Sequence, residues 1–261
     1  MDAEVWKRAL RRELASIASA LFPPACALCG AGAESENACD AHRLRSSTAA
    51  RCAKCAALLP GKIPDGNRCS ACRLDPPSWS RLVALADYGE DPAARAWILA
   101  LKHGGQSELA RPLGAWLAEC VLAAAARSEI GLADSTLVVS VPLHPARRFV
   151  RGYDQAGLVA RSLARHLGLV AWRALVRTRA TPPQGAPGAS SRSANVRGAF
   201  AVRASMRARL AGRDVLLVDD VVTSGATANE CARCLHVAGA RAVVVVALAR
   251  ASLRAAALRA G

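Results

Sequence analysis

The chain has 261 residues, 52% of them apolar and only 4% aromatic, with 35 basic against 20 acidic side chains and a formal net charge of +15. That length suits one ordinary domain plus a small satellite, with a core of Ala, Leu and Val. No uncharged apolar run reaches the ~18 residues of a spanning helix, and no secretory signal is visible, so the expected location is cytoplasmic and not transmembrane. Only four positive residues are lysine (Lys7, Lys54, Lys62, Lys102). An Arg- and Ala-rich skew follows from a GC-rich coding sequence, or serves a phosphate-bearing partner; composition does not separate these accounts.

Residues 1–22 place Trp6, Leu10, Leu14, Ile17 and Leu21 at helical spacing before Pro23-Pro24, which predicts an amphipathic helix packed on its own protein. A cysteine-rich segment, 23–79, follows. Seven of the ten cysteines fall there, in the pairs "CALC" (Cys26, Cys29), "CDAH" (Cys39, His42), "CAKC" (Cys52, Cys55) and "CSAC" (Cys69, Cys72). A two-residue gap lets a tight turn aim both side chains at one metal, and two such knuckles complete a tetrahedron suited to zinc. Pairing neighbours in sequence gives one site from Cys26, Cys29, Cys39 and His42 and another from Cys52, Cys55, Cys69 and Cys72. These lengths favour that pairing over a cross-braced one. Asp40 competes with His42 as the fourth ligand of the first site. Full coordination by protein makes both zinc ions structural, and a reducing compartment disfavours disulfides. Cys120, Cys231 and Cys234 lie in apolar helical patterns and read as small buried hydrophobes.

Beyond residue 80 the pattern alternates. Strand "RLVALADY" is followed by helices "DPAARAWILALK" and "SELARPLGAWLAECVLAAAAR", strand "TLVVSVPL" and a helix in "DQAGLVARSLARHLGL". A polar loop over 178–197 leads to strand "DVLLVDD", a helix from about Thr227 and strand "ARAVVVVALA". Alternation of this kind predicts an α/β domain over 80–261, a parallel sheet flanked by helices. Ligands of such sheets sit beyond the carboxyl ends of the strands.

Asp219 and Asp220 fall at such an end. The turn after them supplies Thr223, Ser224 and Thr227 hydroxyls, and at Gly225 and Ala226 the backbone N–H groups can approach an anion closely. The helix that follows points its positive end at the same spot. Carboxylates for sugar hydroxyls beside an amide nest for a phosphate describe a sugar-phosphate site. A Walker B reading lacks its Gly-rich Lys loop, and simple helix capping explains one aspartate but not both.

"VLLVDDVVTSGAT" resembles the phosphoribosyl-pyrophosphate (PRPP) motif of type I phosphoribosyltransferases. With the knuckles in front, and with "LKHGG", "VPLHPARRFVRGYDQAGLVARSLA", "RTRATPPQ", "SRSANVRGAF" and "GARAVVVVALAR" in order, the chain is similar to the ComF family, implicated in natural transformation and DNA uptake. "CDAH" departs from that family's more usual Cys-x-x-Cys. The resemblance implies a type I phosphoribosyltransferase-like domain behind a double zinc ribbon. It implies that Asp219 and Asp220 bind the ribose hydroxyls, Asp220 also through magnesium, and that Val222, Thr223, Ser224, Gly225, Ala226 and Thr227 cradle the 5′-phosphate. The turn Pro142, Leu143, His144 to Arg147 would take the place of the pyrophosphate loop. Thr181, Gln184, Arg192 and Asn195 would lie on a mobile hood, with Arg192 catalytic. Lys102 either reaches the site or marks an exposed helix end, and Arg147, Arg148 and Arg151 are otherwise a solvated basic face. Three functions stay open: a phosphoribosyltransferase with an unnamed acceptor, a single-stranded-DNA-binding protein, and an adaptor for other uptake proteins.

Overall fold

The computed structural model describes residues 6, 25–33, 38–44, 50–59, 67–143, 149, 151–179 and 196–251. Of the helix predicted over 1–22, all but Trp6 lies outside these residues. The chain divides into two compact units, residues 1–43 and 44–261.

In the first unit, residues 25–33 form a knuckle closed by an isolated antiparallel bridge between Ala25 and Gly32. The Gly30 N–H donates to the Cys26 carbonyl (2.8 Å), and Gly30 takes φ 75°. A short 3-10 turn, Asp40–His42, brings His42 back beside Cys39.

The second unit opens with a like knuckle, where Ala56 donates to the Cys52 carbonyl (2.9 Å) at φ 54°. A short helix α1 (Ser70–Leu74) follows. The α/β domain then runs β1 (Arg81–Asp87), α2 (Pro92–His103), α3 (Ala110–Ala126), β2 (Leu137–Ser140), α4 (Gln155–Leu167), β3 (Val170–Trp172), β4 (Leu175–Arg177), β5 (Phe200–Val202), α5 (Arg207–Leu210), β6 (Asp214–Val222), α6 (Ala226–Val237) and β7 (Ala242–Arg250). Five strands make one parallel sheet in the order β1-β7-β6-β2-β3, and β4 pairs antiparallel with β5 alone. Helices cover both faces of the sheet, so its inner strands are continuous apolar runs rather than alternating ones. Val215 to Val218 on β6 and Val243 to Ala249 on β7 are all buried.

Local chemistry sets the ends. Asp91 caps α2 by accepting from the Ala93 and Ala94 N–H groups, with Pro92 opening the helix. Asp154 caps α4 through the Gly157 N–H, and Gly168 ends it in the left-handed region at φ 67°. At the α3–α4 crossing only glycine fits at 114, because a Cβ there would lie 2.4 Å from Ser162 Cβ. The stretch Ser107–Ala126 is long and apolar enough to span a membrane by composition, yet more than half of it is buried within the fold. It is a core helix, its Trp116 edge-on to Trp97 at 5.1 Å.

Within the α/β domain the predicted strands and helices appear in the predicted order, with α6 starting one residue earlier than expected. Strands β3, β4 and β5 were not anticipated: each has three residues, too few for a period to register. Cys231 and Cys234 are buried as expected, and Cys120 is half-buried.

Candidate functional site

The centre of the sheet delivers the acid pair. β6 is paired on both sides, with β2 and β7, so Asp219 and Asp220 emerge at the carboxyl edge beside the end of β2. The Asp219 carboxylate accepts from the Asp220 N–H (2.8 Å) and the Asp220 carboxylate from the Val221 N–H (2.6 Å). Burial and the charge of Asp220 push the Asp219 carboxyl up to about 7, outweighing the downward pull of the Asp220 N–H and Lys102. Two carboxylates this close resist joint ionisation without a cation. Lys102 supplies one, its Nζ 3.1 Å from Asp220 Oδ2.

The turn that follows runs directly into a helix. Gly225 takes φ 82° immediately before α6. The Ser224 hydroxyl accepts from the Ala226 N–H (3.4 Å), and the Gly225 carbonyl accepts from Asn229 (2.8 Å). The first-turn N–H groups of α6, which have no partner within a helix, face out of its positive end.

Asp219, Asp220 and residues 221–228 line one cavity of about 430 Å³. Its other walls include Tyr88, Lys102, Pro142, Leu143, Arg151 and Asp154. Gln155 and Arg177 line it too; the Gln155 side chain is buried, and its Nε2 has no hydrogen-bond partner among the described residues. Tyr153 fastens this wall by donating to the Leu101 carbonyl (2.6 Å), next to Lys102. A smaller cavity of about 180 Å³ shares Pro142, Leu143, Asp154 and Arg177 with the first and adds Arg173 and Arg203.

Two metal-ligand groups stand apart from this cavity's lining: Cys26, Cys29, Cys39 and His42, and Cys52, Cys55, Cys69 and Cys72, the ligand atoms within each lying no more than 4.8 Å apart. His42, not Asp40, completes the first. A zinc tetrahedron with Zn–S of about 2.3 Å has S···S edges of about 3.8 Å, and S···N edges of about 3.5 Å. Cys29–Cys39 and Cys55–Cys69 stand at 3.7 Å, and His42 Nδ1 at 3.4 Å from Cys39 and 3.6 Å from Cys26. Burial raises the Cys26 and Cys52 thiols, but backbone N–H groups outweigh it and bring them to about 6 and about 7. Burial and neighbouring sulfurs drive the Cys72 thiol well upward. A set whose first thiols ionise readily and whose last resists is one that a bound cation completes. Both donor sets fit zinc.

Comparison with known proteins places the chain in a family. The phosphoribosyl transferase domain family matches residues 151–259. The DNA utilization protein YhgH of Escherichia coli (strain K12) is 39% identical over 184 residues, 70% of this chain and 77% of that protein. Competence protein F of Haemophilus influenzae is 32% identical over 184 residues, 70% of this chain and 78% of that one. The chain belongs to the ComF family. A crystal structure of TT1426 from Thermus thermophilus matches at 25% identity, over 58% of this chain and 78% of that one, with a TM-score of 0.31.

Within this ComF chain the structure brings together Asp219, Asp220, Val222, Thr223, Ser224, Gly225, Ala226, Thr227, Pro142 and Leu143 around one space. His144, Arg147, Thr181, Gln184, Arg192 and Asn195 lie outside the described residues. Lys102 belongs to the site rather than to an exposed helix end, and Arg151 lines it rather than forming only a solvated face. Sequence reasoning gave no role to Asp154, Gln155 or Tyr88, and Arg177 entered it only as the first arginine of the hood loop. "GYDQAG" carried a signal for the first two: a capping aspartate followed by an amide at the start of a helix. Glu230 was also unmarked. It is buried on α6, accepts from the Gly198 N–H (2.8 Å) and ties the segment just before β5 to that helix.

Proposed function

We propose that the chain binds PRPP, or a closely related phosphorylated pentose, at the carboxyl edge of its sheet, and that it serves DNA uptake. One observation carries the reading: the acid pair, the amide-lined turn and the cationic Lys102, Arg151 and Arg177 all border a single cavity of about 430 Å³. In this reading Asp219 and Asp220 accept hydrogen bonds from the ribose hydroxyls. The N–H groups and hydroxyls of Thr223 to Thr227 hold the 5′-phosphate. The segment Pro142, Leu143, His144 and Arg147 meets pyrophosphate, and Gln184, Arg192 and Asn195 close over it.

The acid pair is an all-oxygen donor set suited to magnesium, which would arrive with PRPP and screen its pyrophosphate charge. In phosphoribosyl transfer the bond from ribose C1 to pyrophosphate breaks, its electron pair leaving with pyrophosphate as an acceptor bonds to C1. Arg151, Arg177 and Arg192 would neutralise the leaving group. The names of the relatives, DNA utilization protein and competence protein, support placing the activity in DNA handling.

Calorimetric titration with magnesium and PRPP tests the site. Micromolar binding is expected for the wild type, weakened at least about a hundredfold in the Asp219→Asn/Asp220→Asn double variant. No heat from the wild type rejects the reading.

The run of Arg173, Arg177 and Arg203 around the smaller cavity favours a second reading, in which single-stranded DNA tracks its phosphates along that wall. The exposed aromatics Trp6 and Phe149 are not among the residues lining that wall. Trp79, Trp97 and Trp116 are buried, Trp172 lies beneath Arg209 and Phe200 beneath Arg177. Single-stranded DNA affinity that falls steeply with salt and is displaced by PRPP supports a shared wall. Affinity indifferent to PRPP assigns DNA to another surface.

A further inference from the structure

We infer that the second metal knuckle is the backing that holds the phosphate loop in its anion-binding shape, with Arg250 and Trp79 as the positioning residues that join the two. The inference rests on the reading of Val222 to Thr227 as the phosphate loop. It adds that the metal state of Cys52, Cys55, Cys69 and Cys72 sets the competence of that loop.

A turn that aims its N–H groups at an anion must turn carbonyls the other way, and buried carbonyls need donors. Here the Val222 carbonyl accepts from the Ala251 N–H (2.9 Å) and also from Arg250, the last residue of β7 and only 5% exposed. Its guanidinium donates to the Val222 carbonyl (2.9 Å), to the Thr223 carbonyl and to the Ala251 carbonyl (2.6 Å). From Nε it donates to the carbonyl of Cys55, a metal ligand (3.0 Å). One buried cation thus grips the entry to the phosphate loop on one side and the knuckle on the other. A zinc ion held by four thiolates carries net negative charge, so the loaded cluster offers the buried guanidinium the opposite charge its environment requires.

A second connection runs through Trp79, 3% exposed. Its Nε1 donates to the Lys54 carbonyl, inside the knuckle (3.2 Å), and the Leu82 N–H donates to the same carbonyl (2.9 Å). The far side of the ring lies against Gly225, where a Cβ would stand 2.7 Å from Trp79 Cη2. The indole therefore spans from knuckle to the left-handed residue of the loop. The linker around it is stitched to the same helix: Ser78 N–H donates to Asn229 Oδ1 (2.6 Å), and His236 Nε2 lies 2.8 Å from the Ser78 carbonyl. Cys52, Cys55, Cys72, Trp79, Val222, Ala228 and Cys231 belong to one apolar cluster, so packing and hydrogen bonds point the same way.

Hydrogen exchange on the full zinc-loaded chain tests the coupling without relying on PRPP, with β2 as an internal reference. Exchange across 222–228 should quicken at least about tenfold in Cys69→Ser and in Arg250→Lys, the loss of charge-assisted hydrogen bonds to the loop. Arg250→Lys should keep its zinc and weaken magnesium–PRPP binding by a similar factor. Cys29→Ser, in the other cluster, should leave 222–228 unchanged. If Cys69→Ser unfolds the domain, β2 loses protection as well and Arg250→Lys alone decides. Unchanged exchange across 222–228 in Arg250→Lys overturns the inference. Absence of PRPP binding in the wild type overturns the ligand reading and leaves the exchange result standing. Where PRPP binds, reciprocity requires it to tighten the equilibrium hold on one zinc ion against a competing chelator, and not on the other.

Discussion

The two cysteine clusters share a ligand grammar and differ in their surroundings. In the first, Cys26 is buried, but Cys29 is exposed and Cys39 and His42 are half-buried. In the second, Cys52, Cys55 and Cys72 are buried and part of the main apolar core. The first belongs to the unit 1–43 and the second to the unit that carries the sheet. Ligand spacing thus defines a metal site without defining what the metal supports. A cluster that closes its own short loop stabilises that loop, whereas one packed against a sheet edge becomes part of the domain's core.

The largest expected effect separates the clusters outright. Cys72→Ser removes a metal ligand from a packed core and should destabilise the sheet domain by more than about 3 kcal/mol, seen as a large fall in its calorimetric transition. Cys29→Ser should move that transition by no more than about 0.5 kcal/mol. Equal shifts would erase the distinction.

Asp219→Asn should move the same transition upward. The native carboxyl is raised from 3.8 to about 7 by burial and by Asp220, so its contribution favours folding at low pH and is lost as pH climbs between those values. An amide has no charge to bury. Its advantage over wild type should grow through that window and level off above pH 7, on the order of 3 kcal/mol at pH 8. Thermal melts at pH 5 and pH 8 check the sign; a larger gain at pH 5 would contradict it.

Gly225→Ala should cost about 2 kcal/mol in that transition, from its φ of 82° and the Trp79 ring. PRPP affinity should fall alongside. A cost without loss of affinity would detach the loop's shape from its proposed use.

The smallest effects compare equivalent positions in the two knuckles. Gly30, φ 75°, has open space where a Cβ would go, so Gly30→Ala should cost only its backbone strain, about 1 kcal/mol, read as weaker retention of the first zinc. Ala56 holds the like conformation at φ 54° with its methyl buried. Ala56→Gly should gain about 1 kcal/mol of backbone relief and lose about 0.8 kcal/mol of burial, a near-zero net change. A marked loss on Ala56→Gly would mean packing at the second knuckle is tighter than its backbone strain.

Much of this molecule was legible because its signals are local. The strand-to-acid-pair-to-turn pattern of 214–228 and the four knuckles each depend on residues adjacent in the chain, and the apolar runs of β6 and β7 announce a sheet covered on both faces. Gln155 and Lys102 were harder, since an amide or an ammonium at a helix end has several ordinary uses. Arg250 was invisible: an arginine after a run of valines reads as the point where a strand meets water, and here it is buried.

The sequence by itself determined the order of the long strands and helices of the α/β domain, the cysteine positions of both metal-ligand groups and the acid pair with its turn, because covalent neighbours and short periodic patterns control all three. Only the tertiary structure decided that Lys102 meets Asp220, that Arg250 grips both Cys55 and Val222, and that one cysteine cluster lies within the sheet's core. Those pairings join residues 28 to 195 positions apart. Such contacts form through burial and through the need of each buried carbonyl and charge to find a partner, and no local pattern in the chain records them.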